Sequence, residues 1–274
     1  IVVQDVSWTK RTGPSEDAGR GPRGRRGMRK LFLALFLGLC AGPPVAAQDS
    51  VLPATQADPC EVPGYMLVGD AKLEEVSKAV KERRQLKILV LGTGSSALSG
   101  AAKAYPARLE EALRRQLPDI TVNVVTAAKS RQKAAEMVES IEKLLLDQKP
   151  DLVVWQTGTV DAIRGVDPDV FRDTLDEGAD AVLMNMQYSP RTESMIQSGA
   201  YVDTMRVVAR DREIPLFDRL EIMRYWNDNG NFDLNASSKD SALAQKVHDC
   251  IGRALASLIV EAAGLDQVKN NPLQ

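Results

Sequence analysis

Histidine occurs once in this chain of 274 residues, at position 248. Any imidazole chemistry therefore belongs to His248. Cysteine is nearly as scarce, with only Cys40, Cys60 and Cys250. These residues form no Cys/His cluster of the kind that holds zinc, so no metal is expected and no cofactor is implied. An excess of one charge is missing too: 35 Lys and Arg face 37 Asp and Glu, for a formal charge of −2. That balance gives no electrostatic reason to expect nucleic acid as a partner. Long apolar runs are also absent. The longest, "LFLALFLGLCAG" at 31–42, is too short for a permanent membrane span.

That run has a different meaning in context. Met28, Arg29 and Lys30 precede it and "PPVAAQ" follows, with Val45 and Ala47 at the positions a signal peptidase reads. The pattern predicts an upstream extension at 1–27, a signal peptide at 28–47, a linker at 48–65 and one domain at 66–274. Export to the periplasm or beyond is the expectation, with translation starting at Met28. Cleavage would remove Cys40 and leave Cys60 and Cys250 in an oxidising compartment. An isolated pair there is most simply a disulfide, with two buried free thiols as the alternative.

Within the domain, β-rich runs at 87–92, 120–125, 151–158 and 181–186 alternate with helical patterns, and a weaker fifth run lies at 214–217. The runs are continuously apolar, as expected of strands buried on both faces. Leu109, Leu113 and Leu117 make one helical stripe; Ala134, Met137, Ile141 and Leu144-Leu145 make another. Pro168 suits the first turn of a short helix, and a final helix ends near Gly264. The alternation predicts a three-layer α/β domain around a parallel sheet of about five strands. Ligands of such sheets bind beyond the carboxyl ends of the strands. The segments to watch are 92–100, 126–131, 156–164 and 187–191.

The first of these, "LGTGSSALSG" at 91–100, has two readings. Gly92, Gly94 and Ala97 fit a dinucleotide loop, and Lys129-Ser130-Arg131 could meet a 2′-phosphate. Against this, no acidic residue ends the second strand, and the next helix is delayed past position 104. Ser95 and Ser96 instead fit a nucleophile at a strand end.

The second reading gains from a resemblance. "GSSALSG" resembles the G-D-S-x-x-x-G block of the SGNH (GDSL) hydrolases. The likeness continues through "YPARLEEAL", "DLVVWQTGTVDAIRGVDP", "VLMNMQYSPR" and "IPLFDRLEIMRYW". It implies a flavodoxin-like sandwich and a serine ester hydrolase acting on a small-molecule or glycan ester. Ser96, or Ser95 under a different count, would be the nucleophile and His248 the base. Asp240 would orient that base, in the manner of a D-x-x-H motif. Cys250 would point away from His248 on the same helix and leave the imidazole free to face the serine. Gly94, Thr159, Asp161, Gln187, Tyr188 and Arg191 would line the substrate site.

The chain departs from that family in four places. Thr93-Gly94 can be laid on the Asp-Ser of the first block, which leaves Ser95 one position late. Ser130 or Arg131 replaces the glycine of the second block. Val160 replaces the oxyanion asparagine of the third, a loss worth about 10²–10³ in rate. Alignment through "CIGRALA" puts the family's histidine at Leu243 and gives His248 a packing position. A non-catalytic member binding a glycan or partner is the alternative these departures suggest.

Overall fold

The structure, a computed structural model, describes residues 58–97, 104–177, 181–235 and 241–266. The leader and Asp240 lie outside the described residues. The domain opens with a 3-10 turn at Gly64–Met66 and helix α1 (Glu74–Arg83). Five strands follow: β1 (Gln85–Gly92), β2 (Thr121–Ala128), β3 (Leu152–Gln156), β4 (Val182–Met184) and β5 (Leu216–Phe217). All neighbours pair in parallel, in the order β2-β1-β3-β4-β5. This is the expected flavodoxin-like sheet.

Parallel strands need crossovers, and helices supply them. α2 (Tyr105–Gln116) leads from β1 to β2, and α3 (Ala134–Gln148) leads from β2 to β3. α4 (Thr159–Arg164) and α5 (Pro168–Glu177) lead to β4, with Pro168 at the first helical position as its fixed φ favours. α6 (Pro190–Met195) and α7 (Gly199–Asp211) lead to β5, and α8 (Arg219–Asp228) and α9 (Ser241–Ala262) complete the domain. α2 packs against α9, while α5 packs against both α3 and α7. The leucine stripe of α2 is buried throughout, at Leu109, Leu113 and Leu117. Each such side chain stabilises by roughly 1.5–3 kcal/mol. α2 and α9 meet so closely at Gly252 that a Cβ there would lie 2.6 Å from Arg108 Cβ and 2.7 Å from Leu109 N. Only glycine permits that approach.

One expectation fails at the sheet edge. β1 and β3 are buried as predicted, but β2 is half-buried or exposed along its length, with Val122 its one fully buried residue. β2 is terminal in the sheet, so no strand covers its outer side. The stripe on α3 is correspondingly thin: Ala134 and Met137 are buried, whereas Leu145 is exposed.

Residues 58–65, read from sequence as the end of a linker, are pinned to the domain. Trp226 Nε1 donates to Glu61 O at 3.3 Å, Asn231 donates to Pro59 O at 3.0 Å, and Arg253 pairs with Asp58. The Cys60–Cys250 disulfide ties this segment to α9 across 190 residues. In the chain-entropy account, closing so long a loop contributes roughly 5 kcal/mol.

Candidate functional site

The carboxyl ends of β1, β3, β4 and β5 converge, and the turn after β1 lies among them. Thr93 is extended, and Gly94–Ser96 form a single 3-10 turn. The turn folds back on its own strand. A Cβ on Gly92 would lie 2.1 Å from Ser96 Oγ, so the missing side chain is what admits the serine. Ser96 is consequently 2% exposed, while Ser95 stays half-buried and reaches solvent. Ser130, from the segment after β2, borders the turn at Gly94.

One amide oxygen organises this turn. Gln156 Oε1 accepts from Thr93 N at 3.2 Å, Thr93 Oγ1 at 3.3 Å, Ser95 Oγ at 3.1 Å and Ser96 Oγ at 3.0 Å. A backbone N–H can only donate, so Thr93 fixes which end of the amide faces the turn. Gln156 Nε2 is left buried without a partner among the described residues. The amide oxygen orients both hydroxyls but is no base, so it cannot take a serine proton.

Arg219 closes the other side. It is the first residue of α8 and 1% exposed, and its Nη1 donates to Ser95 Oγ at 3.2 Å. Burial pulls its pKa down to about 10. The adjacent Asp218 does not neutralise it. Asp218 Oδ2 accepts from Arg206 at 2.7 and 3.0 Å, and Oδ1 accepts from Asn185 at 2.7 Å and Glu221 N at 3.1 Å.

His248 takes an unexpected partner. The residue before α2 is Ala104, which has no side chain able to cap a helix. His248 Nδ1 does that work across 143 residues, accepting from Tyr105 N at 3.0 Å. The imidazole is 6% exposed and stacks near-parallel to the Tyr105 ring. Burial, reinforced by the nearby Arg219 charge, pulls its pKa down to about 3, so it is neutral. Its lone pair is committed to a backbone N–H. The expected hydrogen bond from either serine to His248 is not present among the described residues. Tyr105 touches both groups instead, with its hydroxyl 3.0 Å from Ser96 Oγ. Burial pushes that phenol up, so it too is no ready base.

Asp161 also serves a helix start. Its carboxylate accepts from Ala134 N, at the start of α3, at 3.1 and 3.3 Å. The group is 2% exposed, and burial raises its pKa against several backbone N–H bonds. Its role in this structure is to cap α3. Thr159, Gln187 and Tyr188 do meet, lining a cavity of ≈ 10 Å³ with Thr192 and Leu220, about the space of one water. Arg191 is exposed on α6 and does not line that cavity. It is Arg224 that lies over the Tyr188 ring, 5.3 Å from its centroid.

Sequence reading passed over Tyr105 and Arg219, and took in Gln156 only as the start of the segment 156–164. Arg219 left a readable signal. A cation directly after an Asp N-cap opposes the helix dipole, which favours acids in the first turn. Gln156 left a weaker one, as a polar residue ending an apolar strand.

Comparison with known proteins fits this architecture. The sequence pattern of the Non-GDSL lipase-like family matches residues 59–265. An arylesterase from Vibrio mimicus is 31% identical over 114 residues, 38% of this chain and 56% of the relative, so the match spans only about half of that protein. An acetyl-xylooligosaccharide esterase from Geobacillus shares the fold, with a TM-score of 0.51 and 18% identity over 64% of this chain and 94% of the other. A structure of a catalytic mutant of that same enzyme, described as an acetylxylan esterase from Geobacillus stearothermophilus, gives a TM-score of 0.51 and 16% identity over the same shares.

Proposed function

The chain belongs to the Non-GDSL lipase-like family, and from that premise we propose that it hydrolyses short carboxylic esters at the serine turn. The observation that carries the reading is Ser95. It stands at the carboxyl end of β1, reaches solvent, and has a guanidinium nitrogen 3.2 Å from its oxygen. A neighbouring cation stabilises the alkoxide and so favours loss of the hydroxyl proton. Ser95 Oγ attacks the acyl carbon to give a tetrahedral oxyanion, whose charge the neighbouring guanidinium offsets. The bond to the leaving oxygen breaks, and the serine proton reaches that oxygen through water. Water then attacks the acyl-serine, releasing the acid and restoring the hydroxyl. With no base touching the serine among the described residues, esters with good leaving groups are the favoured substrates. Accessibility selects Ser95 over Ser96, which is sealed beneath Tyr105 and over Gly92. Export remains our reading of the leader, and the disulfide supports an oxidising compartment.

A second reading, a non-catalytic binding protein, is favoured by one observation. The only imidazole of the chain is spent on Tyr105 N. The two readings separate on hydrolysis of an aryl acetate by the disulfide-intact protein. The hydrolase reading expects turnover, an acetyl adduct on Ser95 by mass spectrometry, and a loss of about 10²-fold or more in Ser95→Ala. Ser96→Ala should lose less. Wild-type rates equal to those of Ser95→Ala, without an adduct, leave the binding reading standing.

A further inference from the structure

We infer that the free edge of the Arg219 guanidinium is a carboxylate-binding site beside Ser95. The observation is which donors are used and which are not. Nη1 is taken by Ser95 Oγ. Nε and Nη2 are buried and have no partner among the described residues. Those two nitrogens share one edge of the planar group, and their N–H bonds point in parallel. That spacing matches the two oxygens of a carboxylate, the bidentate fork that distinguishes Arg from Lys. A third orphan donor, Gln156 Nε2, belongs to the amide whose oxygen holds Ser95.

The surroundings favour an anion and, among the described residues, supply none to the guanidinium. Arg219 opens α8, a helix of 10 residues whose positive end attracts negative charge. The adjacent carboxylate of Asp218 is fully used by Arg206, Asn185 and Glu221 N. A buried cation without a counter-charge costs stability, and a structure keeps such a cost most readily where a ligand removes it. Gly94 and Ser95 are half-buried, so solvent reaches the turn on which this guanidinium rests.

The inference deepens the proposed hydrolase by naming its acid side, and to that extent it rests on that reading. The carboxylate has two sources of the same chemistry: the acid released by hydrolysis, or a free acid group carried by the ester. Its test needs no turnover. The disulfide-intact protein is melted at fixed ionic strength in chloride, with rising acetate, monoethyl succinate or inorganic phosphate. Wild type should gain about 5 °C at saturating carboxylate. Arg219→Met should melt at or above wild type without ligand and gain nothing with it. Arg219→Lys, which keeps the charge but loses the fork, should bind at least about tenfold more weakly. If Arg219→Met does not fold, Arg219→Lys decides. Acetate binding as tightly as the monoester assigns the site to released acid; tighter monoester binding assigns it to a free acid on the substrate. No response to carboxylate, a response to phosphate alone, or an equal response in wild type and Arg219 variants overturns the site. A carboxylate response without ester turnover keeps the site and removes the hydrolase. Turnover without that response does the reverse.

Discussion

Two buried charges at the same sheet edge have opposite fates. Asp161 and Arg219 are 2% and 1% exposed, and both stand beside the first turn of a helix. Asp161 meets the start of α3 with the sign the helix dipole favours, and its oxygens accept a backbone N–H. Arg219 sits at the start of α8 with the sign the dipole opposes, and two of its nitrogens have no partner among the described residues. His248 belongs with Asp161, since its ring nitrogen completes the start of α2. The difference separates groups the fold consumes from a group it leaves available. Depth and charge alone do not mark a functional residue; an unspent donor or acceptor does.

The largest effect expected from this contrast is in pH. An unfolded histidine titrates near 6.5, while His248 in the fold has a pKa of about 3. Below pH 6.5 the unfolded chain binds a proton that the folded chain refuses. Stability is therefore whole above 6.5 and falls as pH drops towards 3, by about 1.4 kcal/mol per unit. His248→Gln retains an acceptor for Tyr105 N without a titrating ring. Urea unfolding at pH 7 and pH 4 should show wild type losing several kcal/mol more than this variant. Equal losses would mean that His248 is not held neutral and that the contrast with Arg219 is misdrawn. Asp161 acts in the other sense, because its pKa is raised and its protonation at low pH favours the fold.

Next in size is the pair Asp161→Ala and Arg219→Met, compared by urea midpoint in carboxylate-free buffer. Asp161→Ala leaves Ala134 N buried without its acceptor and should cost about 2 kcal/mol. Arg219→Met should cost nothing or stabilise, since it removes a buried, uncompensated cation. Both variants destabilising equally would break the distinction, because Arg219 would then be as spent as Asp161.

The fold was largely legible because parallel strands carry their signal locally. All five apolar runs became strands, and the stripe at Leu109, Leu113 and Leu117 became the buried face of α2. The exposure of β2 was not legible, because being last in a sheet is a property of topology and not of the run itself. The site was legible as a place and only partly as a mechanism. Ser95, Ser96, Thr159, Gln187 and Tyr188 were picked from strand ends; the serines lie on the turn after β1, while Thr159, Gln187 and Tyr188 line a separate small cavity. The partner of His248 lies 143 residues away and is a backbone N–H, which leaves no mark on residue type. Met223 and Trp226 in α8 are core, at 2% and 0% exposed. Arg219, on that same helix, was lost among ordinary charged residues because its sequence does not disclose its burial.

The smallest effect tests whether strain near the serine turn is part of the open or the closed side. Arg131 has φ +63°, in the left-handed region that glycine adopts freely and other residues adopt at a cost. It occupies the loop between β2 and α3, where the resembled family carries its glycine. The side chain is exposed, so replacing it removes no packing. Arg131→Gly should relieve the backbone and stabilise by about 0.5–1 kcal/mol, after the entropy glycine adds to the unfolded chain. A strain serving only the loop leading into α3 leaves the carboxylate response at Arg219 untouched. Melting curves of Arg131→Gly with and without acetate therefore read both quantities at once. A higher midpoint with an unchanged acetate shift puts Arg131 with Asp161, among groups that shape the fold. A lost acetate shift would join the second loop to the Arg219 edge, and the line between spent and available groups would have to be drawn around both.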